Sequence, residues 1–420
     1  MRRIFFFCFA AIINIFFIMS NEFISWGKDE NINMNGKLLI VGGALSPSNR
    51  EVYGKFIEMA GGRQKALIGI IPAASKFPIE AAEDFKNNLV DLYGLEENKI
   101  KILPIYDFGY DENTLLDKYQ AAVQFLKAVN INLDDFSGIW LTGGDQRKIA
   151  QFLYYSNGEE TQLLRAIKRI YKKGAVIAGT SAGAAIMSEY MITGGSNKGL
   201  NLPNEVKYYW KMDKKDADTL SIGKGLGVFK EGIIDQHFGE RDRLYRLIAA
   251  CSGIKDISYG FGIDENTAVL VTQPDNVIEI LGEGGLTVVD MSRSSTAGDI
   301  NQKEIKGIRL HYLLSGDKYH LQNHFSDFYG KNVRNLSKPL TSAHENLLPN
   351  NSFETFIWFV NSQYIKGCSP AVSTYSSANA DGEKMFYKFT ADTDSNIFYN
   401  ENTQRFSAEN ISLNITITYN

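Results

Sequence analysis

Cysteine is nearly absent from this chain: three occur in 420 residues, Cys8, Cys251 and Cys368, and the first falls in a leader-like stretch. Without a C-x-x-C pair, neither a thioredoxin-type redox site nor a cysteine-rich zinc site is indicated. Cys251 and Cys368 can pair in an oxidising compartment, but their separation supplies no geometry, so two free or buried thiols are expected. Histidine is also sparse, with His237, His311, His320, His324 and His344 and no H-E-x-x-H. His320 and His324, four apart, would share one face of a helix, yet a third ligand is missing and no metal is expected. A basic excess is absent too: 44 Lys+Arg stand against 48 Asp+Glu, a formal net charge of −4. That balance argues against nucleic acid as a partner.

Long hydrophobic runs are limited to one. Arg2 and Arg3 precede residues 4–19, whose only clearly polar member is Asn14. A positive start followed by such a run reads as a signal peptide over residues 1–20, giving a secreted or periplasmic protein. The run is short for a span of about twenty residues. Residues 18–20 are not a small-x-small cleavage site, so an uncleaved membrane anchor is the alternative. The whole chain is 44% hydrophobic and 22% charged. Such a chain has ample core, which excludes wholesale disorder, collagen and coiled coil.

From about residue 36 the pattern alternates. Strands are expected at 37–41, 66–71, 99–105, 138–141 and 175–178, with helices at 52–60, 79–93, 115–129 and 161–171. Short apolar runs between helices predict an α/β fold, with a mostly parallel sheet and helices on both faces. Residues 196–219 interrupt this order as an excursion, aromatic and basic around Lys207, Tyr208, Tyr209 and Trp210. Later come a strand near 232–234 and a helix at 242–251. Strands 257–263 and 267–271 are expected to pair across an acidic turn, and 277–281 with 286–290 as a hairpin. Residues 36–290 form the expected α/β domain, 291–350 a connecting region and 351–420 a small β-rich extension with strands at 355–360, 384–389 and 411–419.

The string Gly179-Thr180-Ser181-Ala182-Gly183 follows a strand and satisfies G-x-S-x-G. Small residues there permit the abrupt bend that lifts a serine hydroxyl above a sheet end. A free serine needs a base. His237, just after the strand near 232–234, can take its proton. Glu265 at another strand end is the chosen orienting carboxylate; Asp264 should point the other way on extended backbone, and Asp235 is a further acidic candidate. Gly143-Gly144 after strand 138–141 can bring backbone N–H groups to a ligand. Gly144 with Ala182 would then form an oxyanion hole, with Gln146 near the substrate. This loop is neither a P-loop nor the dinucleotide G-x-G-x-x-G. Arg241, Arg243 and Arg246 follow His237, and guanidinium groups suit carboxylate recognition.

Together, Gly143-Gly144-Asp145-Gln146, Gly179 to Ala184, Asp235-Gln236-His237-Phe238 with Arg241, Arg243 and Arg246, and Gly262-Ile263-Asp264-Glu265 resemble the cyanophycinase family of serine peptidases, which also contains aspartyl dipeptidase. The resemblance covers about residues 36–290. It implies a class I glutamine-amidotransferase-like fold, no cofactor and a homodimer. It further implies Ser181 as nucleophile, His237 as base and Glu265 as its partner, with Gln146, Asp235, Gln236, Arg241, Arg243 and Arg246 as pocket residues. The implied substrate is cyanophycin, a poly-aspartate with arginine joined through side-chain isopeptide bonds, released as β-aspartyl-arginine dipeptides. The family often carries Asn where this chain has Asp145. A peptidase of short α-aspartyl peptides and a catalytically silent polymer-binding protein are the alternatives.

Overall fold

The computed structural model describes residues 36–106, 132–155, 157–195, 207–208, 220–299, 302–328, 330–334, 353, 356–357, 371–378, 384–400, 402–403 and 405–418. The leader stretch, the helix expected at 115–129, Cys368, His344 and the excursion other than Lys207–Tyr208 lie outside the described residues.

Five short apolar strands begin the first sheet: β1 (Lys37–Val41), β2 (Ile68–Ile71), β3 (Ile100–Ile102), β4 (Gly138–Leu141) and β5 (Val176–Thr180). They pair in parallel in the order β1-β5-β4-β2-β3. Such strands read as unbroken apolar runs because both faces are covered. Leu39, Val41, Ile68, Ile70, Trp140, Val176 and Ala178 share a cluster with Tyr53 and Phe56 of helix Arg50–Met59 and Phe85 of helix Pro78–Asn87. Phe85 stacks on Trp140 at 3.9 Å between ring centroids. In the register, Val41 faces Thr180, Leu141 faces Gly179 and Ile71 faces Leu141. The loops following β1, β2, β4 and β5 therefore open along one edge, where open parallel sheets place ligands.

β6 (Tyr190–Gly194), β7 (Lys207–Tyr208) and β8 (Ser221–Lys224) make a small separate sheet. β9 (Ile233–Gln236) then runs through helix Leu244–Gly253 to a parallel partner, β10 (Tyr259–Ile263). Beyond Gly253 the helical residues described are Phe353 and Phe356–Ile357 alone; of the strand expected at 355–360, residues 356–357 are helical and the rest lie outside the described residues. The strands after β10 are β11 (Thr267–Thr272), β12 (Val277–Gly282), β13 (Gly285–Asp290), β14 (Ser295–Gly298), β15 (Gln302–Leu314), β16 (Lys318–His320), β17 (Phe325–Asp327), β18 (Asn332–Arg334), β19 (Ala371–Ala378), β20 (Lys384–Ala391), β21 (Asn396–Asn400) and β22 (Arg405–Thr418). His320 thus ends a strand and His324 sits in the turn before β17, so the helix face expected to carry them does not exist.

This corrects the fold expectation: the protein is a mixed α/β structure with mostly antiparallel pairings, and the glutamine-amidotransferase-like arrangement is not supported. The first sheet continues antiparallel from β1 through β11, β12 and β16 to β17. The second large sheet, β18-β21-β22-β15-β13-β10-β9, is antiparallel except at β9–β10. Connection length is the physical reason. Parallel neighbours need a crossover of about a dozen residues or more, and after the helix at 244–253 the chain often turns within a few.

Both expected hairpins are corrected as well. β10 does not pair with β11; β10 lies in the second sheet between β9 and β13, whereas β11 lies in the first between β1 and β12. β12 and β13 are likewise divided between the sheets. Residues 264–266 are therefore a crossing from one sheet to the other, and Glu265 sits on it. The strands β19 to β22 at the chain's end lie in the second sheet, β22 pairing with β15. Leu413, Ile415 and Ile417 of β22 share a buried cluster with Leu244, Leu247, Ile248 and Cys251 of the helix after His237. Each such buried aliphatic side chain contributes about 1.5–3 kcal/mol.

Candidate active site

Ser181 occupies a sharp bend between β5 and the short helix Ala182–Ala185, at φ 55 and ψ −110. Positive φ is uncommon for a residue with a Cβ and is held here by surrounding bonds. Its N–H donates to Val41 O at 3.0 Å, tying the bend to β1. The flanking glycines are required by close packing: a Cβ on Gly179 would lie 2.5 Å from Gly183 O, and one on Gly183 would collide with Leu141 O.

His237 immediately follows β9 and also has positive φ, 47. Its N–H donates to Gly42 O at 2.7 Å, so the second sheet is pinned to the tip of β1. His237 Nε2 lies 2.8 Å from Ser181 Oγ, and Nδ1 lies 2.5 Å from Glu265 Oε1. With its proton on Nδ1 facing the carboxylate, the ring presents Nε2 as the acceptor for the serine hydroxyl. Gly43, at φ 120, lies under that ring; a Cβ there would collide with Cε1 and Nε2. On sequence alone Gly42-Gly43 reads only as a turn.

The crossing at 264–266, a turn rather than the extended backbone expected, directs its two acids to different partners. Glu265 faces His237, while Asp264 points into the core. Asp264 accepts from Gly239 N–H and Gly285 N–H, each at 3.0 Å, and from Tyr312 Oη–H at 3.3 Å. Burial pushes its carboxyl up to about 7, nearby Glu240 adds to the rise, and those three hydrogen bonds oppose it. Supports that the sequence did not reveal hold the crossing. Glu265 N–H donates to Glu240 Oε1 at 3.1 Å and Oε2 at 3.2 Å. Asn266 N–H donates to Gly43 O at 2.8 Å. Asn49, which caps helix Arg50–Met59, donates from Nδ2 to Asn266 O at 3.0 Å. Asn49 and Gly43, distant in sequence, thus both hold the backbone of Asn266, the residue after Glu265.

Burial lowers the pKa of His237 below its ordinary 6.5; the bond to Glu265 pulls it up, and Arg241 and Arg243 push it down again. At neutral pH the imidazole is unprotonated and able to accept. The acid limb of kcat/KM against pH is expected below 6.5 and should move upward in Arg241→Gln, which removes one positive neighbour. A limb at or above 6.5 in the unaltered protein would contradict this electrostatic picture.

Beside the serine, a Cβ on Gly143 would lie 3.3 Å from Ser181 Cβ. Gly144, exposed and at φ 140, leaves no room for a Cβ against Ala74 O. Ala182 opens its helix, so its N–H is among those with no intrahelical acceptor. Gln146 opens helix Gln146–Leu153, and its Nε2 donates to Ile192 O at 2.6 Å, directing the side chain to β6. Asp145 caps that helix by accepting Arg147 N–H at 3.0 Å and also takes Arg147 Nε–H at 2.9 Å.

The remaining expected pocket residues divide by burial. Asp235, only 1% exposed, accepts from Arg246 Nε at 2.9 Å and again from Arg246 Nη2. Arg243 Nη1 lies 3.5 Å from Asp235 Oδ1 and donates to Gln236 O. Burial would raise the Asp235 carboxyl, but Arg246 and Arg243 outweigh it and hold the group below the ordinary carboxylate range. Burial also lowers Arg243, to about 10, against the pull of Asp235. Arg246 Nη1 donates to Gly195 O at 2.8 Å, reaching the chain that leaves β6. Gln236 Oε1 is 3.5 Å from Ser181 Oγ, whereas Arg241 is exposed. Among the described residues no three His, Cys, Asp or Glu side chains gather as metal ligands.

Comparison with known proteins identifies the family of the chain. The chain is 32% identical over 297 residues to the cyanophycinase of Synechococcus elongatus, covering 69% of this chain and 80% of that protein. It is 31% identical over 298 residues to the cyanophycinase of Geminocystis herdmanii, covering 69% and 96%. With the cyanophycinase of Trichormus variabilis it shares 32% identity over 291 residues, covering 68% and 85%. The description Peptidase family S51 matches residues 38–279, a span that contains Ser181, His237 and Glu265. The chain belongs to peptidase family S51 and is a serine-type peptidase of that family.

Proposed function

We propose that the protein hydrolyses cyanophycin to β-aspartyl-arginine dipeptides through an acyl-enzyme. The carrying observation is the unbroken hydrogen-bond chain from Ser181 Oγ through His237 to Glu265, within a chain about a third identical to cyanophycinases over most of their length. Ser181 Oγ attacks a backbone aspartyl carbonyl while His237 Nε2 takes its proton. The C–N bond breaks as His237 returns that proton to the leaving amine. A water deprotonated by His237 then attacks the ester, and the C–O bond to Ser181 breaks as His237 returns that proton to Ser181 Oγ. Glu265 keeps the ring in the required tautomer and offsets the charge it gains. The N–H groups of Gly144 and Ala182 receive the oxyanion.

Gln146, Gln236, Arg241 and Arg243 serve substrate carbonyl and carboxylate groups in this reading. Asp235 and Arg246 act from beneath, since each is buried against the other. Incubation with insoluble cyanophycin followed by mass spectrometry of the soluble fraction tests the proposal. β-Aspartyl-arginine is the expected product. Free aspartate and arginine alone would contradict dipeptide release, and turnover of short α-aspartyl peptides with the polymer untouched would favour the dipeptidase reading.

A further inference from the structure

We propose that Lys76 and Phe77 form an outer subsite for an arginyl unit of the polymer several residues from the bond being cleaved. This rests on the cyanophycin reading. Both residues lie on the loop between β2 and helix Pro78–Asn87, at the same sheet edge as Ser181. β2 is separated from β5 by β4 alone, a displacement of about 10 Å at the usual strand spacing. An extended substrate advances about 3.5 Å per residue, so an attached unit roughly three residues away reaches this loop. The intervening ground is the glycine turn: Gly143 borders Ser181, and Gly144 packs against Ala74 and Ser75.

The loop presents these side chains from a fixed backbone. Ser75 N–H donates to Pro72 O at 3.0 Å and Phe77 N–H donates to Ser75 Oγ at 3.0 Å. Phe77 is nevertheless 60% exposed, the most exposed large apolar residue among those described, and Ile79 nearby is 43% exposed. Lys76 Nζ lies over one face of the Phe77 ring, 5.4 Å from its centroid, which leaves the opposite face for a ligand. An arginine joined to the polymer through its amine keeps a guanidinium and a carboxylate. The buried acid nearest in sequence to the base, Asp235, is committed to Arg243 and Arg246 and offers the substrate guanidinium nothing. The ring face away from Lys76 receives that cation without a carboxylate, and the Lys76 ammonium on the other side meets the unit's own carboxylate.

Phe77→Ala and Lys76→Ala test the subsite with a ten-unit polymer and a two-unit oligomer. Each variant should raise KM for the ten-unit substrate about ten-fold, leave its kcat unchanged and leave the two-unit oligomer unaffected. Phe77→Tyr, which keeps an aromatic face, should restore the unaltered KM. Both substituted side chains are exposed, so the thermal midpoint serves as the folding control. Equal changes for both lengths, or none for either, would overturn the subsite while leaving the cyanophycin reading standing. If the unaltered protein cleaves neither length, the cyanophycin reading itself fails and the subsite falls with it.

Discussion

Ser181→Ala should lower kcat by about 10⁴–10⁶-fold on any substrate the protein turns over. The hydroxyl oxygen is the atom that bonds to the substrate in the proposed reaction, and it lies 2.8 Å from His237 Nε2. What survives is the contribution of the oxyanion donors and of binding, worth about 10³–10⁴ over water in enzymes of this kind. The fold should be untouched, because the bend at Ser181 is held by its backbone N–H on Val41 O and by Gly179 and Gly183. Single-turnover kinetics on a soluble oligomer, with equilibrium binding to the same variant, separates the two effects. Retained binding with lost turnover is expected. Unchanged hydrolysis would remove Ser181 from the mechanism.

Arg246→Leu carries the largest expected stability loss, about 3–5 kcal/mol. It strips Asp235 of two hydrogen bonds and leaves a buried carboxylate with Arg243 Nη1, 3.5 Å from Oδ1, as its remaining guanidinium neighbour. The pH dependence comes from the direction of the shift. In the unaltered protein Asp235 is held below its ordinary 3.8. Its contribution is therefore present above 3.8 and lost as pH falls through the folded-state value. In Arg246→Leu desolvation loses its main counterweight, the folded-state value rises, and the variant should recover stability as pH falls and the group protonates. A second change, Asp235→Asn, should restore part of the loss by removing the stranded charge. Thermal unfolding of the single and double variants between pH 4 and 8 reads all three effects. Equal stability of Arg246→Leu and the unaltered protein would mean that the ion pair bears no weight in the fold.

The sequence made the first half of the architecture legible and the second half much less so, for a physical reason. Strands β1 to β5 are apolar runs, with helices described between β1 and β2, between β2 and β3 and between β4 and β5, and a helical crossover favours parallel pairing. From Thr267 onward the runs at Thr267–Thr272, Val277–Gly282 and Gly285–Asp290 have the same local appearance whether they join each other or cross to another sheet. Local patterning specifies a strand and its buried face, not its partner. The site divides along similar lines. Small residues around Ser181, a histidine at a strand end and the divergence of the neighbouring acids Asp264 and Glu265 could be read locally. The dependence of Glu265 on Asn49 and Glu240 could not, because those contacts span large sequence separations. Nor could the burial of Arg246 against Asp235, since three arginines around a helix start look alike until the fold buries one of them.

Reaction with a fluorophosphonate, followed by peptide mass mapping, tests the central assignment most directly. Such a reagent bonds covalently to a serine only where a base removes the hydroxyl proton. The account predicts a single adduct at Ser181, suppressed in both His237→Ala and Ser181→Ala. An adduct on another residue, or labelling of Ser181 that persists at full rate without His237, would contradict it.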